Sequence, residues 1–263
     1  MKERTDNTAA GGLVQMQYEG LAPIYDYVMR HVDYGEWVGY VHDLFNRFDG
    51  LPKHLVDLAC GTGNATMTFH DLGYRVSGVD ASEHMIDVAR QKAAVAGLDI
   101  QFTTDDLRSL AGLGPFDGAV CLYDSFNYLM SLAEIDSALE AINRVLEPSS
   151  LFIFDVCTEN NSLRYFGDNH GSEAGDGFTY TRHSYYDRAE RLQMNSFDIR
   201  FDGESAHHLE THTQRIYPHD AIVARVEVSP FELLATYDGF SFRRGSEDSD
   251  RVHFVLRSPA ESL

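Results

Sequence analysis

Three things are scarce in this chain of 263 residues: cysteine, long apolar runs and positive charge. The cysteines Cys60, Cys121 and Cys157 show no Cys-x-x-Cys spacing, which argues against a disulfide framework or a zinc site. No apolar run approaches the length of a transmembrane helix, and residues 1–12 lack the apolar centre of a signal peptide. These absences predict a cytoplasmic protein that does not have a membrane as a partner.

The shortage of positive charge is pronounced. Lysine occurs only at Lys2, Lys53 and Lys92, and 21 Lys and Arg residues face 41 Asp and Glu residues, for a net charge of -20. Such a surface repels phosphate backbones, which argues against nucleic acid as a partner. The composition fits adaptation of the surface to salt or a bias in genome composition, and the sequence leaves both open.

What is present is a sharp motif, Leu-Val-Asp-Leu-Ala-Cys-Gly-Thr-Gly-Asn, at residues 55–64. The motif consists of an apolar run of strand character, a tight turn and a helix-like pattern. In such an arrangement a nucleotide-shaped ligand binds at the N-terminus of the helix. Gly61 and Gly63 let backbone and ligand approach closely. Thr66 occupies the position where a dinucleotide fingerprint has Gly or Ala, and no P-loop pattern occurs. The Asp57 carboxylate suits a ligand with an ammonium group and no pyrophosphate.

The pattern Asp-x-Ala-Cys-Gly-Thr-Gly resembles motif I of the class I S-adenosylmethionine-dependent methyltransferases, and the order of elements is similar over nearly the whole chain. The resemblance implies an α/β fold: a Rossmann-like, seven-stranded sheet whose last strand is inserted antiparallel, with an N-terminal helical cap and an inserted antiparallel β lid. It implies a cap over residues 1–50, a cofactor-binding core over 51–158, an inserted sheet over 159–228, and a helix with a strand hairpin over 229–263 that completes the core.

The residue patterns agree with this order. Alternating strand and helix signals from His54 to Val156 predict a parallel sheet with helices on both faces, and Ser82 is a predicted helix N-cap. Helical periodicity predicts two helices within residues 13–49. A capping box at Ser229-Pro-Phe-Glu predicts a helix that ends at Gly239. Further strands are predicted at 178–186, 192–201, 208–217, 222–228, 240–243 and 251–256.

Acidic residues after the second and third strands extend the resemblance. Asp80 ends the second strand, where a carboxylate can accept hydrogen bonds from both hydroxyls of a ribose. The resemblance implies that Met85 packs on adenine, and that Asp106 and the Leu107 backbone N–H meet the adenine edge. Because Asp105 is also an acid, the assignment of the adenine contact is open by one residue. The expected cofactor-binding residues are Tyr25, Tyr34, Asp57, Ala59, Gly61, Gly63, Asp80, Ala81, Met85, Asp106, Leu107 and Leu122.

Tyr25 and Tyr34 belong to an aromatic pattern in the N-terminal segment. Similar caps occur in the sugar-amine N,N-dimethyltransferases and in a bacterial subgroup of uncharacterised methyltransferases, where tyrosines close over the methionine part of the cofactor. The resemblance implies this role for Tyr25 and Tyr34, and as second choices for Tyr18 and Trp37. An aromatic stripe at helical spacing also suits a packed core.

A polar, aromatic cluster follows the fourth strand. Because ligands bind at the carboxyl ends of parallel strands, we expect the methyl acceptor here. The cluster resembles an Asp-Ser-x-Asn-Tyr-Leu pattern in the same bacterial subgroup, which implies substrate contacts for Tyr123, Asn127 and Tyr128. It lacks the Asn/Asp-Pro-Pro-Tyr of DNA amino-methyltransferases, a second argument against nucleic acid.

The pattern Glu210-x-His212-x-x-Arg215 resembles one in the subgroup's inserted sheet, which implies that His212 and Arg215 contact the substrate. A metal is not expected, because no second cluster with metal-ligand spacing accompanies these residues. Asp124 and His212 are candidate catalytic bases, which the reaction requires only if the acceptor must lose a proton.

The sequence therefore predicts a methyltransferase that uses S-adenosylmethionine as cofactor and transfers the methyl group in line to a small-molecule acceptor. N-methylation of an amino sugar or amino acid is an alternative. An NAD-dependent oxidoreductase and a non-catalytic binder of S-adenosylmethionine are alternatives of another class. An exposed lid strand makes a homodimer possible.

Overall fold

The computed structural model of the protein describes residues 18–260; the first predicted helical residues, Leu13 and Met16, lie outside that range. Its elements along the chain are a 3-10 helix at Ala22–Ile24, α1 (Tyr25–Val28), α2 (Tyr34–Arg47), β1 (His54–Leu58), α3 (Asn64–Asp71), β2 (Arg75–Asp80), α4 (Glu83–Ala96), β3 (Gln101–Thr104), β4 (Phe116–Cys121), a 3-10 helix at Ser125–Tyr128, α5 (Leu132–Val145), β5 (Leu146–Cys157), α6 (Glu159–Tyr165), β6 (Asn169–Gly175), β7 (Phe178–Asp187), β8 (Leu192–Phe201), β9 (His208–Arg215), α7 (His219–Val228), β10 (Glu232–Asp238) and β11 (Arg251–Arg257).

The larger sheet has seven strands in the order β10-β11-β5-β4-β1-β2-β3. Strands β1 to β5 pair in parallel, whereas β11 is antiparallel to both β5 and β10. The predicted fold class is therefore confirmed, including the antiparallel insertion of the last strand.

Apolar residues on both faces of its strands explain why this sheet lies in the core. Leu55 and Val56, adjacent in β1, point to opposite faces and are both fully buried, as expected for a parallel sheet covered by helices on each side. One face packs against α5 and α7 and the other against α2. Ser82 caps α4 by accepting the backbone N–H of Met85 at 3.3 Å, which confirms the predicted N-cap.

The second sheet has four antiparallel strands in the order β6-β7-β8-β9, and we call it the lid sheet. Its inner face packs on the N-terminal segment, where Tyr180, Phe197 and Ile199 contact Ile24 and Val28. Strand β6, which forms the edge of the lid sheet away from β9, is almost entirely exposed. The homodimer through an exposed lid strand stays a prediction.

Two predictions about the C-terminal region were wrong. Residues 222–228 form part of α7 rather than a strand, and Ser229 closes that helix instead of starting the next one. Its backbone N–H and its hydroxyl both donate to the carbonyl of Val226, at 3.0 and 2.7 Å. The residues after this helix form β10, which pairs with β11. Without β10, β11 would have only β5 as a neighbour, so strand pairing overrides the local capping signal.

The other differences are smaller. Residues 240–243 form a turn rather than a strand, with a single bridge from Arg244 to Tyr237. The sequence did not predict α6 or β6. The first of the two N-terminal helices is only the short α1, and α2 begins after Asp33, whose side chain accepts the N–H of Glu36 at 3.0 Å. No helix within residues 18–260 has both the length and the apolar character to cross a bilayer.

Candidate active site

A cavity of about 1180 Å³ lies between the carboxyl ends of the central strands and the inner face of the lid sheet. The turn after β1, the ends of β2 and β4, and α1 form one part of its wall, and β7, β8 and β9 form the other. Sites for one small molecule usually measure about 300–1,000 Å³. The volume therefore suits two ligands side by side.

Most of the predicted site residues line this cavity. Three do not: Gly63, Asn127 and Arg215. The predicted residues that line it are Tyr25, Tyr34, Asp57, Ala59, Gly61, Asp80, Ala81, Met85, Asp106, Leu107, Leu122, Tyr123, Asp124, Tyr128 and His212.

The turn after β1 has an unusual backbone. Ala59, Gly61 and Gly63 have φ angles of 54°, 55° and 78°, in the left-handed region that favours glycine. At Gly63 a Cβ would lie 3.0 Å from the ring of Phe102, so glycine is also required there by packing. Gly63 therefore shapes the turn without facing the cavity, and the non-glycine Ala59 carries the strain of the turn.

Asp57 is a buried carboxylate at the wall of the cavity, only 2% exposed. Its Oδ2 accepts a hydrogen bond from the Thr66 hydroxyl at 2.6 Å. This bond explains why Thr66 stands where a dinucleotide fingerprint has Gly or Ala. Burial raises the pKa of Asp57 to about 7, the Thr66 hydrogen bond opposes that rise, and the charge of Asp80 adds to it. Two neighbouring acids of this kind favour a cationic ligand.

Asp80 stands at the end of β2 with both carboxylate oxygens anchored to the backbone. Oδ1 accepts the N–H of Ser82 and Oδ2 that of Gly61, each at 2.8 Å. Burial raises the pKa of Asp80, and these two hydrogen bonds oppose the rise. A carboxylate has about four acceptor positions, so two remain for a ligand with neighbouring hydroxyls.

The structure also distinguishes the two acids after β3. Asp105 accepts from its own loop, from the Asp106 N–H at 2.7 Å and the Ala111 N–H at 2.8 Å. Asp106 pairs with Arg108 at 2.5 Å, and this guanidinium holds the pKa of Asp106 below its usual range. Both acids line the cavity and both are engaged by their own loop, so the choice of Asp106 for the adenine contact stays a prediction.

The predicted catalytic residue Asp124 lies in the cavity wall but is fully engaged. Its Oδ1 accepts from Arg251 at 2.7 Å and its Oδ2 from Gln214 at 2.5 Å. Arg251 also pairs with Asp155, which accepts the backbone N–H groups of Tyr123 and Asp124 at 2.7 and 2.8 Å. Both oxygens of Asp124 therefore have partners within the fold, and its catalytic role stays a prediction.

Asn127 and Arg215 join the core to the lid sheet, which corrects their predicted contact with substrate. Asn127 is fully buried: it accepts the Cys157 N–H at 2.9 Å and donates to the Arg215 carbonyl at 2.9 Å. The Arg215 side chain donates to the carbonyls of Met130 and Glu190, at 2.8 and 3.2 Å. Their backbone partners lie in different elements, a pairing that sequence spacing does not reveal.

His212 is 2% exposed, and within residues 18–260 only one of its ring nitrogens has a partner. Nε2 lies 3.1 Å from Glu210, which also accepts the N–H groups of Gly20 and Leu21 at 2.6 and 3.0 Å. Burial would raise the pKa of Glu210, but the hydrogen bonds from His212 and these N–H groups lower it. An ionised carboxylate only accepts, so Nε2 carries the proton. Nδ1 is buried and finds no partner among residues 18–260.

A polar network ties the N-terminal segment to the turn after β1. Asp26 accepts from the Thr62 hydroxyl at 2.6 Å, from the Asn64 amide at 2.9 Å and from Lys92 at 2.5 Å. One of only three lysines is therefore used to hold α1 over the cavity. Tyr18 and Trp37, the second choices of the sequence analysis, also line the cavity.

Among residues 18–260, possible metal ligands come together at Asp168, His170 and His183, whose ligand atoms lie within 4.8 Å of one another. The two imidazoles stack across β6 and β7 with centroids 4.0 Å apart, and Asp168 lies 2.6 Å from His183. The group is at the surface, with Asp168 81% exposed. The sequence analysis considered Glu210 and His212 for a metal; these two form the hydrogen-bonded pair described above.

Several cavity residues were not predicted from the sequence. The first group belongs to the lid sheet: Tyr180, Arg182, Ser184, Gln193, Asn195 and Phe197. The other residue is Arg251, which pairs with Asp124. The alternation in β7 and β8 carried a signal for the first group, because every second residue shares the inner face. Asp155, a single acid within the apolar run of residues 151–157, was the signal for the buried ion pair with Arg251.

Comparisons with known proteins agree with this geometry. A family model described as a methyltransferase domain matches residues 55–149. The chain is 29% identical over 245 residues to the putative methyltransferase YqeM of Bacillus subtilis (strain 168), an alignment that covers 91% of this chain and 96% of that protein. It is 28% identical over 206 residues to a dTDP-3-amino-3,6-dideoxy-alpha-D-glucopyranose N,N-dimethyltransferase of Streptomyces fradiae, with 75% and 78% covered.

The fold is also similar to a solved structure. A crystal structure of an S-adenosylmethionine-dependent methyltransferase from Clostridium acetobutylicum ATCC 824 superposes with a TM-score of 0.77 at 23% identity, covering 92% of this chain and 99% of that one. The matched domain contains the turn after β1 and both acids that anchor it, Asp57 and Asp80. The chain therefore belongs to the class I S-adenosylmethionine-dependent methyltransferases, enzymes that use S-adenosylmethionine as the methyl donor.

Proposed function

We propose that this enzyme methylates a small-molecule acceptor held between the central sheet and the lid sheet. The observation that carries the proposal is the cavity, whose walls come from both sheets and from the N-terminal segment. A nucleic acid or a protein surface would have to displace the lid sheet to reach the turn after β1. A compact molecule fits beneath it, and the net charge of -20 also disfavours nucleic acid.

We assign the end of the cavity near the turn after β1 to the cofactor. Asp80 would accept hydrogen bonds from the ribose hydroxyls, Asp57 would face the ammonium group, and Asp106 would meet the adenine. The fit is supported by Gly61, where a Cβ would meet only Tyr25, at 3.9 Å, so the backbone is open to a ligand. Lys92, which donates to Asn64 just after this turn, is paired with Asp26, which disfavours a pyrophosphate and hence NAD.

When bound, S-adenosylmethionine supplies a methyl group that its sulfonium has already activated. The chain then has to orient the acceptor in line with the carbon–sulfur bond and exclude water. Tyr25 and Tyr34 line the cavity beside the turn after β1 and are the residues we assign to closing over the methionine part. Tyr123 and Tyr128 line the same cavity, and we assign them to the acceptor.

We assign the proton-accepting role to His212. Glu210 fixes the tautomer in which Nδ1 has a lone pair, and that atom has no partner among residues 18–260. An acceptor hydroxyl beside Nδ1 would transfer its proton to the imidazole as its oxygen attacks the methyl carbon and S-adenosylhomocysteine leaves. An ammonium would transfer its proton first, which frees the lone pair that then attacks. The positive charge formed on His212 would be stabilised by Glu210.

The experiment that tests this assignment is the substitution His212→Gln, assayed by release of S-adenosylhomocysteine in a screen of small amines, hydroxy acids and phenols. We expect kcat to fall about 100-fold or more, because positioned general bases contribute 10²–10⁴-fold. The affinity for S-adenosylmethionine should not change. The matched control is His207→Gln, a half-exposed histidine near the start of the same strand, which should leave kcat unchanged. An unchanged kcat in His212→Gln would contradict the assignment, and failure of every acceptor would contradict a small-molecule substrate.

A second candidate is methylation of a sugar amine. It is favoured by the relative from Streptomyces fradiae, which is named as the N,N-dimethyltransferase of an amino sugar nucleotide. A neutral amine has its own lone pair and needs no strong base. For such an acceptor, the loss of kcat in His212→Gln should shrink as the pH rises above the pKa of the amine.

A further prediction concerns the pH dependence of cofactor binding. Asp57 has a pKa of about 7 in the free protein, so it is mostly protonated below that pH. An ammonium group beside it favours the charged form, and binding below pH 7 must therefore release a proton. We expect the affinity for S-adenosylmethionine to rise by about tenfold per pH unit from roughly pH 5 to 7 and then level off.

Calorimetry over this pH range checks the prediction, with Asp57→Asn as the control because it can still bond to Thr66. The variant should bind with an affinity that does not depend on pH. A flat profile in the unsubstituted protein would contradict the contact between Asp57 and the ammonium group. The same raised pKa means that Asp57 stabilises the free protein at low pH and that this contribution is lost as the pH rises through about 7.

A further inference from the structure

Arg182 is a cationic side chain in the inner face of the lid sheet, and it has no carboxylate partner in the described part of the chain. Its Nε donates to the Ser184 hydroxyl at 2.8 Å, and its Nη2 donates to the Asn195 amide oxygen at 2.7 Å. Among residues 18–260 no ion pair joins it to an Asp or Glu, and its hydrogen bonds come from Nε and Nη2 alone. All three residues line the cavity.

The other arginines of the cavity wall are all neutralised. Arg30 pairs with Glu173 at 2.5 Å, Arg108 with Asp106 at 2.5 Å, and Arg251 with Asp124 at 2.7 Å. In a chain with 41 acids and 21 Lys and Arg residues, a carboxylate is the most available partner. The lack of one at Arg182 is therefore a specific property of this position.

Two aromatic rings lie near the Arg182 guanidinium, and such cation–π contacts offset only part of the cost of taking its charge out of water. Its guanidinium carbon lies 5.7 Å from the centre of the Phe197 ring and 6.0 Å from that of Phe166. Burial lowers the pKa of Arg182, yet a guanidinium stays protonated in proteins. A charge taken out of water without a counter-charge destabilises the fold, unless a ligand supplies the missing charge.

The strand register places this cation beside the assigned base. Asn195, which accepts from Arg182, lies directly opposite His212 in the pairing of β8 with β9. Across the other edge of β8, Arg182 pairs with Phe197. Arg182 and His212 therefore share the inner face of the lid sheet, with Asn195 and Phe197 between them, so a molecule in the cavity can face both.

We propose that Arg182 binds an oxyanion of the methyl acceptor, so that the substrates are small anions with a carboxylate or phosphate close to the methylated atom. The inference rests on the proposed function and narrows its substrate class. Carboxylate and phosphate both match the two parallel N–H donors of a guanidinium. Ser184 and Asn195 hold the guanidinium in place, so little conformational entropy is lost when the anion binds.

The test uses Trp37, the single tryptophan of the chain, which lines the cavity. Its fluorescence is followed while the complex with S-adenosylhomocysteine is titrated with phenylacetate, with phenyl phosphate and with the neutral phenylacetamide. We expect at least one anion to bind about tenfold or more tightly than phenylacetamide. The tighter of the two anions identifies the group that Arg182 accepts.

Arg182→Gln should lose this preference while its affinity for S-adenosylhomocysteine stays unchanged. Arg200→Gln is the matched control: it removes the same charge from an exposed position of β8, and the preference should remain. Arg182→Lys keeps the charge without the two parallel donors and should retain a weaker preference, which provides a readout if Arg182→Gln does not fold.

The outcomes separate the two proposals. If the unsubstituted protein does not bind S-adenosylhomocysteine, the proposed function fails. If that ligand binds but neither anion is preferred over phenylacetamide, only the role of Arg182 is overturned. A preference that persists in Arg182→Gln also overturns it.

Discussion

Replacing Asp80 with alanine should abolish measurable binding of S-adenosylmethionine. The carboxylate is fixed by the N–H groups of Gly61 and Ser82, each at 2.8 Å, and its remaining lone pairs face the cavity. Two hydrogen bonds from ribose hydroxyls to a charged acceptor contribute about 1.5–3 kcal/mol each. The expected loss of affinity is therefore on the order of 10²–10⁴-fold.

Isothermal titration calorimetry measures this loss, and a thermal melt of the free protein shows whether the variant folds. Asp80→Asn should bind with an intermediate affinity, since it keeps one acceptor oxygen. Asp87→Ala removes a carboxylate that is 65% exposed on the following helix and should bind normally. An unchanged affinity in Asp80→Ala would remove the basis for placing the cofactor at the end of β2.

The largest expected effect on stability is at Arg251. Its side chain is 16% exposed and pairs with Asp155, which is fully buried, and with Asp124, which is 10% exposed. Arg251→Met leaves two buried carboxylates without a counter-charge, and breaking a buried ion pair from one side costs about 3–5 kcal/mol. Asp155 also holds the backbone N–H groups of Tyr123 and Asp124, so the acceptor side of the cavity should loosen as well.

Urea denaturation measures the free energy of unfolding, with Arg243→Met as the control. Arg243 is 80% exposed and pairs with Asp238 at the surface, so its loss should not measurably change stability. Burial raises the pKa of Asp155 even beside Arg251, and removing the guanidinium should raise it further. The deficit of Arg251→Met should therefore be smaller at pH 5 than at pH 8. A deficit that does not change with pH would contradict a cause in unpaired carboxylates.

Sequence alone identified the elements whose signals are local. The turn after β1 has a left-handed backbone at three positions, two of which are glycine. Asp57 lies before this turn, and Asp80 lies after it, at the end of β2. Ser82 caps α4 because its side chain reaches an N–H three residues on. Such features depend on a few neighbouring residues, and they were sufficient to recognise the methyltransferase family and its cofactor.

Only the tertiary structure decided which polar residues face the cavity and which join elements together. Asn127 and Arg215 bear groups suited to a substrate, but their partners are backbone atoms in other elements, so they hold the lid sheet to the core. Ser229 and Pro230 resemble a helix start. The residues that follow nevertheless form β10, because they pair with β11. Arg251 neutralises Asp124 across 127 residues of sequence.

The same reason accounts for Arg182 and His212. In the sequence each is a polar residue within an alternating strand. The pairing of three strands brings them onto one face, and both line the cavity beneath it. Across the residues that the structure describes, Arg182 has no carboxylate beside it and Nδ1 of His212 has no partner. Both properties are consequences of packing between distant segments, which no local pattern encodes. The sequence therefore determined the family and the cofactor, and the tertiary structure decided the chemistry offered to the acceptor.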